Sequence, residues 1–110
     1  MNRFVILLAL LPMLLSCGVS DERIDAYKKA AKKVRKATSS ESLEMIAYTL
    51  SKELYEIDAE ETALADIEYM AKNGDEKSQK LVDAIAKAKL LFDEALSDKE
   101  TVFYLERLKQ

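Results

Sequence analysis

The chain has almost nothing with which to build a β-hairpin. Its 110 residues include two glycines, Gly18 and Gly74, and one proline, Pro12. Tight hairpin turns need residues that accept positive φ or that preset the turn. Ala, Leu, Glu and Lys fill much of the remainder, and all four are strong helix formers. An all-α fold is therefore expected. At this length a single domain is the natural prior, with one modest core and little room for a deep enclosed cavity.

The first residues read as an address. Met1-Asn2-Arg3 is short and positive, and the run from Phe4 to Leu15 is nearly all apolar. A charged start, an apolar stretch and a small residue before the cut define a secretory signal. The run is shorter than the roughly 18–20 residues that span a bilayer as a helix. Pro12 inside it would also kink such a helix. An ordinary secretory signal and an uncleaved N-terminal anchor fit these properties too.

Leu14-Leu15-Ser16-Cys17-Gly18 resembles the lipobox of bacterial lipoproteins. The resemblance implies cleavage between Ser16 and Cys17, with a lipid placed on the Cys17 sulfur. It implies three parts: a signal peptide over 1–16, a lipidated cysteine with a short tether over 17–20, and a domain over 21–110. Gly18, where an Asp would favour inner-membrane retention, implies the outer membrane in a Gram-negative host. Cys17 is the only cysteine and has no disulfide partner in the chain; lipidation accounts for a lone thiol in an exported protein. The stretch Lys36-Ala37-Thr38-Ser39-Ser40-Glu41-Ser42-Leu43 is similar to small all-helical lipoproteins of uncharacterised function. That likeness carries no active residues across.

The body reads as helices joined by short breaks. Ser20 is the expected N-cap of a helix over 21–37, with a thin apolar face of Ile24, Tyr27, Ala31 and Val34. Thr38 and Glu41 have capping-box spacing. A long helix over 41–72 is then expected. In it Leu43, Leu50, Ile57, Leu64 and Ala71 recur every seven residues, the spacing of a helix packed lengthwise on others. Glu60-Glu61 interrupts the second apolar row, which leaves a kink near 58–60 as the alternative. Asn73-Gly74 ends this helix and Asp75 caps the next, over 75–96. Ser97-Asp98-Lys99-Glu100 has the spacing of another capping box and predicts a short final helix carrying Val102, Phe103, Leu105 and Leu108. The expected architecture is an antiparallel helical bundle of three main helices and a short C-terminal fourth, whose apolar residues close the open end of the core.

Charge is unevenly spread. Residues 21–36 carry seven basic and three acidic groups, whereas residues 41–110 carry nine and seventeen. Lys28, Lys29, Lys32, Lys33 and Lys36 supply most of the basic segment. Near a lipid anchor they could rest on anionic headgroups. They could instead lay their stems along the bundle's apolar edges and face its acids, which is the reading the sequence alone favours. Nucleic-acid binding is not expected of an exported chain with net charge −3.

Catalytic apparatus is sparse. The chain has no histidine, the commonest general base and metal ligand near neutral pH. The glycines stand alone, so no phosphate-cradling loop exists. Glu53, Glu56, Glu60 and Glu61 read as a solvated helix face. No cofactor, no metal and no enzymatic activity are expected. Tyr48, Tyr55 and Tyr69 share a heptad phase, and tyrosine suits interfaces through its apolar body and polar tip. They could line a surface for an envelope protein partner or cover the edge of the domain's own core. The leading expectation is a membrane-anchored interaction or structural module. The alternative is a chaperone-like module binding small ligands or unfolded clients.

Overall fold

The computed structural model describes residues 20–110; the expected signal segment and the expected lipidation site at Cys17 lie outside the described residues. The chain is an all-α bundle of four helices: α1 Glu22–Lys36, α2 Ser40–Glu60, α3 Leu64–Lys72 and α4 Glu76–Leu108. No strand occurs among the described residues.

α1 starts one residue later than Ser20 allowed. Asp21 is the N-cap, and its carboxylate accepts the Arg23 backbone N–H at 2.7 Å. Ser39 rather than Thr38 caps α2, its hydroxyl accepting the Ser42 N–H at 3.2 Å. In both places a neighbouring side chain of equal capping strength won, because the cap must sit where the backbone is still extended. The turn at Asn73-Gly74 forms as its residues dictate. Gly74 takes φ +94°, and the Asp75 N–H reaches back to the Met70 carbonyl. Asp75 then caps α4 through the Ser78 N–H at 3.1 Å and through the Ser78 hydroxyl.

Two expected boundaries are overturned. The helix over 41–72 is broken, with Glu61 extended at φ −105°, ψ −173°. The break is stabilised both locally and from a remote helix. Asp58 accepts the Leu64 N–H at 2.8 Å and so stands in for a cap at the start of α3, where Ala63 offers no side chain. Arg23, far off in sequence on α1, donates to the Thr62 carbonyl at 2.6 Å and to Asp58 at 2.9 Å. Conversely, no helix begins at Ser97, and α4 runs through the capping-box residues as one helix of 33 residues. The apolar row Ile85, Ala88, Phe92, Ala95 is continued by Lys99 and Phe103, so the packed face never changes phase. At about 1.5 Å per residue α4 is roughly 50 Å long, matching the longest dimension of 53 Å.

The packing order also differs from expectation. α1 is the hub: it packs against both α2 and α4, while α2 and α4 meet only narrowly and α3 packs on α4. α1 can serve two neighbours because its buried side chains are small. Ala26, Ala30, Ala31 and Val34 are all buried, and they let the helix axes come close. Around them gather Leu43, Leu50 and Ile57 from α2 and Phe92 and Ala95 from α4. A second cluster joins Ile24 to Ile85 and Ala88. The Tyr27 ring bridges the two clusters, with its centroid 6.4 Å from that of Phe92.

Candidate interaction surface

Only one charged side chain is buried among the described residues. Arg23 is 2% exposed. Its guanidinium pairs with Asp21 at 3.0 Å and Asp58 at 2.9 Å and also holds the Thr62 carbonyl. Sequence reasoning missed this residue, because two of its three partners, Asp58 and Thr62, lie on a distant segment and the local pair with Asp21 does not by itself mark it out from six neighbouring cations. It fixes the direction in which the chain leaves α2, and so the placement of α3.

Asp58 is held below its ordinary value of 3.8, first by the Leu64 backbone N–H and then by Arg23. Asp75 is lowered likewise, by the Ser78 hydroxyl and then its N–H. A carboxylate depressed in the folded state stabilises the fold fully above its unfolded value and loses that contribution as pH falls through the folded value. Thermal midpoints should thus be flat above about pH 5 and fall below about pH 4. Asp58→Asn should flatten part of that fall; a slope identical to wild type would show that Asp58 does not couple to folding.

Heptad phase places Tyr48 and Tyr55 on one face of α2, and both are strongly exposed, at 66% and 77%. Neither covers the domain's own core. Their face lies away from α1: Glu53, which borders the α1–α2 cleft, is about 160° around the helix from Tyr55. Tyr69 does not join them by phase, because the extended residues at 61–63 reset the register. It sits on α3, whose buried Ile67 faces α4, and it points outward at 69% exposure.

α4 adds exposed residues that the sequence assigned elsewhere. Val102, Phe103, Leu105 and Leu108 were expected to close the core, but only Phe103 packs against it. Val102, Tyr104, Leu105 and Leu108 are exposed, since the final turns of α4 have little left to pack on. An open groove runs between α2 and this end of α4, lined by Leu43, Glu44, Ala47, Leu96, Phe103 and Tyr104.

Of the α1 lysines, Lys29, Lys33 and Lys36 border the α1–α2 cleft beside apolar Ala26, Ala30, Met45 and Ile46. Lys28, Lys29, Lys32, Lys33 and Lys36 are exposed, and among the described residues none is within ion-pair distance of a carboxylate. Of the acidic set, Glu53, Glu56 and Glu60 border the α1–α2 cleft with Glu22 and Asp25, while Glu61 ends α2. No three of the described carboxylates gather closely enough to hold a metal ion. No described helix is long and apolar enough to cross a membrane. The chain matches no protein-family model, no curated protein and no solved structure.

Proposed function

We propose that the protein is a lipid-anchored envelope protein whose helical bundle is a non-enzymatic interaction module. The observation that carries the reading is the exposed tyrosine pair Tyr48 and Tyr55 on the outward face of α2. Two aromatic rings one heptad apart offer a partner a large apolar contact with polar tips, at low cost in side-chain entropy. The lipobox-like Leu14-Leu15-Ser16-Cys17 and the lone cysteine support the anchor. Several acyl chains on one residue, at about 0.8 kcal/mol per buried CH₂, hold a small domain firmly at a membrane.

Crosslinking the full-length protein in cells, followed by mass spectrometry, tests the module. One reproducible envelope partner is expected. Tyr48→Ala with Tyr55→Ala should reduce its capture at least tenfold and leave the thermal midpoint within about 2 °C, because both side chains lie outside the core. Undiminished capture by the double variant would remove this face from consideration. The anchor has its own test. Inhibiting the lipoprotein signal peptidase should leave an uncut precursor, and an unaltered mature band would exclude lipidation at Cys17.

A second reading rests on the groove between α2 and α4. Leu43, Ala47, Leu96 and Phe103 form the apolar floor of an open trough whose rim carries Glu44, Glu100 and Arg107, an arrangement that suits a binder of small amphipathic ligands or unfolded clients. Strong fluorescence of a hydrophobic dye with the folded protein, lost on Phe103→Glu, supports it; a dark folded protein counts against it.

A further inference from the structure

The basic segment of α1 has a shape as well as a charge. At 100° per residue, Lys28, Lys32, Arg35 and Lys36 fall within an arc of about 100° on the helix crest. All four are exposed. Lys29 and Lys33 flank them on the side of α2. The opposite face of the helix carries Ala26, Ala30, Ala31 and Val34 into the core, so the crest cannot roll inward.

Neighbouring acids do not neutralise it. Glu53 borders Lys29 and Lys33, Glu41 borders Lys33 and Lys36, and Glu94 and Asp98 border Arg35. None of these forms an ion pair with them. Asp25 lies one turn before Lys28 on the same arc, and no ion pair joins the two. The acids Glu22, Asp25, Glu56 and Glu60 gather at the other end of α1, so the surface is polarised along the helix.

We propose that the α1 crest of Lys28, Lys32, Arg35 and Lys36 docks on an anionic phospholipid bilayer. Two observations choose a lipid surface over other polyanions. The crest is a strip of exposed cations bordered by open clefts only at its Arg35 and Lys36 edges, which suits a planar field of headgroups and not one shaped ligand. And α1 begins five positions after Cys17. Five residues span at most about 18 Å, so a lipid on Cys17 keeps the crest within reach of the headgroups. The orientation rests in that respect on the anchor proposed above; the crest's charge does not. Each cation near such a surface strengthens binding about fivefold. Four give a contact that is weak for a free domain and sufficient for a tethered one, where the second contact is intramolecular. The acidic end of α1 lifts away and the Lys36 end settles. Tyr48 and Tyr55, on the far side of α2 from α1, then face away from the bilayer.

Lysine acetylation footprinting tests this on the full-length protein in two vesicle types, pure phosphatidylcholine and phosphatidylcholine with about a third phosphatidylglycerol. In the anionic vesicles Lys28, Lys32 and Lys36 should be labelled at least threefold more slowly than in the neutral ones. Lys77, Lys80 and Lys87 on α4 should not change, and about 0.5 M salt should abolish the difference, since the contact is electrostatic. The variant K28E/K32E/K36E should lose the protection still measurable at Lys29 and Lys33 while keeping its thermal midpoint. Equal labelling in both vesicles overturns the proposal, as does protection that includes α4 equally. Protection by a soluble polyphosphate as strong as by vesicles overturns the choice of lipid. Failure of the anchor reads separately: the protein then leaves neutral vesicles on sedimentation, whatever the footprint in anionic ones.

Discussion

Replacing Arg23 with alanine should lower the unfolding free energy by about 3 kcal/mol, measured as a shift of the urea midpoint. The guanidinium is almost wholly buried and makes three separate contacts: Asp21, Asp58 and the Thr62 carbonyl. Removing one partner of a buried pair commonly costs 3–5 kcal/mol, because the other charge is stranded. Here the lower end applies, since the Asp58 side chain is 46% exposed and water can take over its charge. The loss should be accompanied by a larger denaturant slope if α3 comes loose in the denatured ensemble, or an unchanged slope if the damage stays local. Arg23→Lys should recover only part of the stability: an ammonium is a point charge, whereas the guanidinium presents a planar fork of donors to three acceptors. A loss below about 1 kcal/mol for the alanine variant would mean that the pairing merely offsets the desolvation of the arginine.

The largest loss is expected at Phe92, the one large aromatic buried in the central cluster. Phe92→Ala should cost about 3–5 kcal/mol. The ring is 7% exposed, packs with the α1 alanines and meets the Tyr27 ring in a tilted arrangement. Truncation removes the burial of the ring and leaves a cavity on a hub helix whose alanines have no spare length to fill it. For a chain of this size that is a large part of an ordinary total stability of 5–15 kcal/mol. The variant should show broadened side-chain NMR signals and dye binding before it loses helicity. Phe92→Leu should retain most of the stability, and if Leu is as harmful as Ala, ring shape rather than volume governs the site.

What could be read from the sequence was local. Asn73-Gly74-Asp75 dictates its turn through three adjacent residues, one with positive φ and one with a capping carboxylate. Heptad phase gave the exposed pair Tyr48 and Tyr55, because both lie on one unbroken helix. The misreadings share a cause. The break at 61–63 depends in part on Arg23, whose contact with Thr62 spans 39 positions; a window on α2 holds only the local share, Glu60-Glu61 and the Asp58 carboxylate that takes the Leu64 N–H. Ser97-Asp98-Lys99-Glu100 has the composition of a helix start, but α4 continues because its packed face runs on to Phe103 and the Lys99 ammonium reaches the Arg35 carbonyl at 2.8 Å. Tyr69 was grouped with the other tyrosines by extending a period across a break that tertiary contacts created. The closing role expected of Val102, Leu105 and Leu108 failed likewise, since composition cannot say how far a neighbouring helix extends.

The central place of α1 has a consequence for assembly. The α3–α4 hairpin can form from chain segments that adjoin each other, but the first helix has only α2 to pack on until residues near 92–95 have been made, since Phe92 and Ala95 complete the cluster around it. Contacts of such separation are slow to close, because loop entropy must be overcome first. A nascent chain therefore leaves the α4-facing side of its leading helix uncovered until nearly the whole domain exists. Phe92 and Ala95 then close the cluster over α1, so that completion of the core waits on the last third of the sequence.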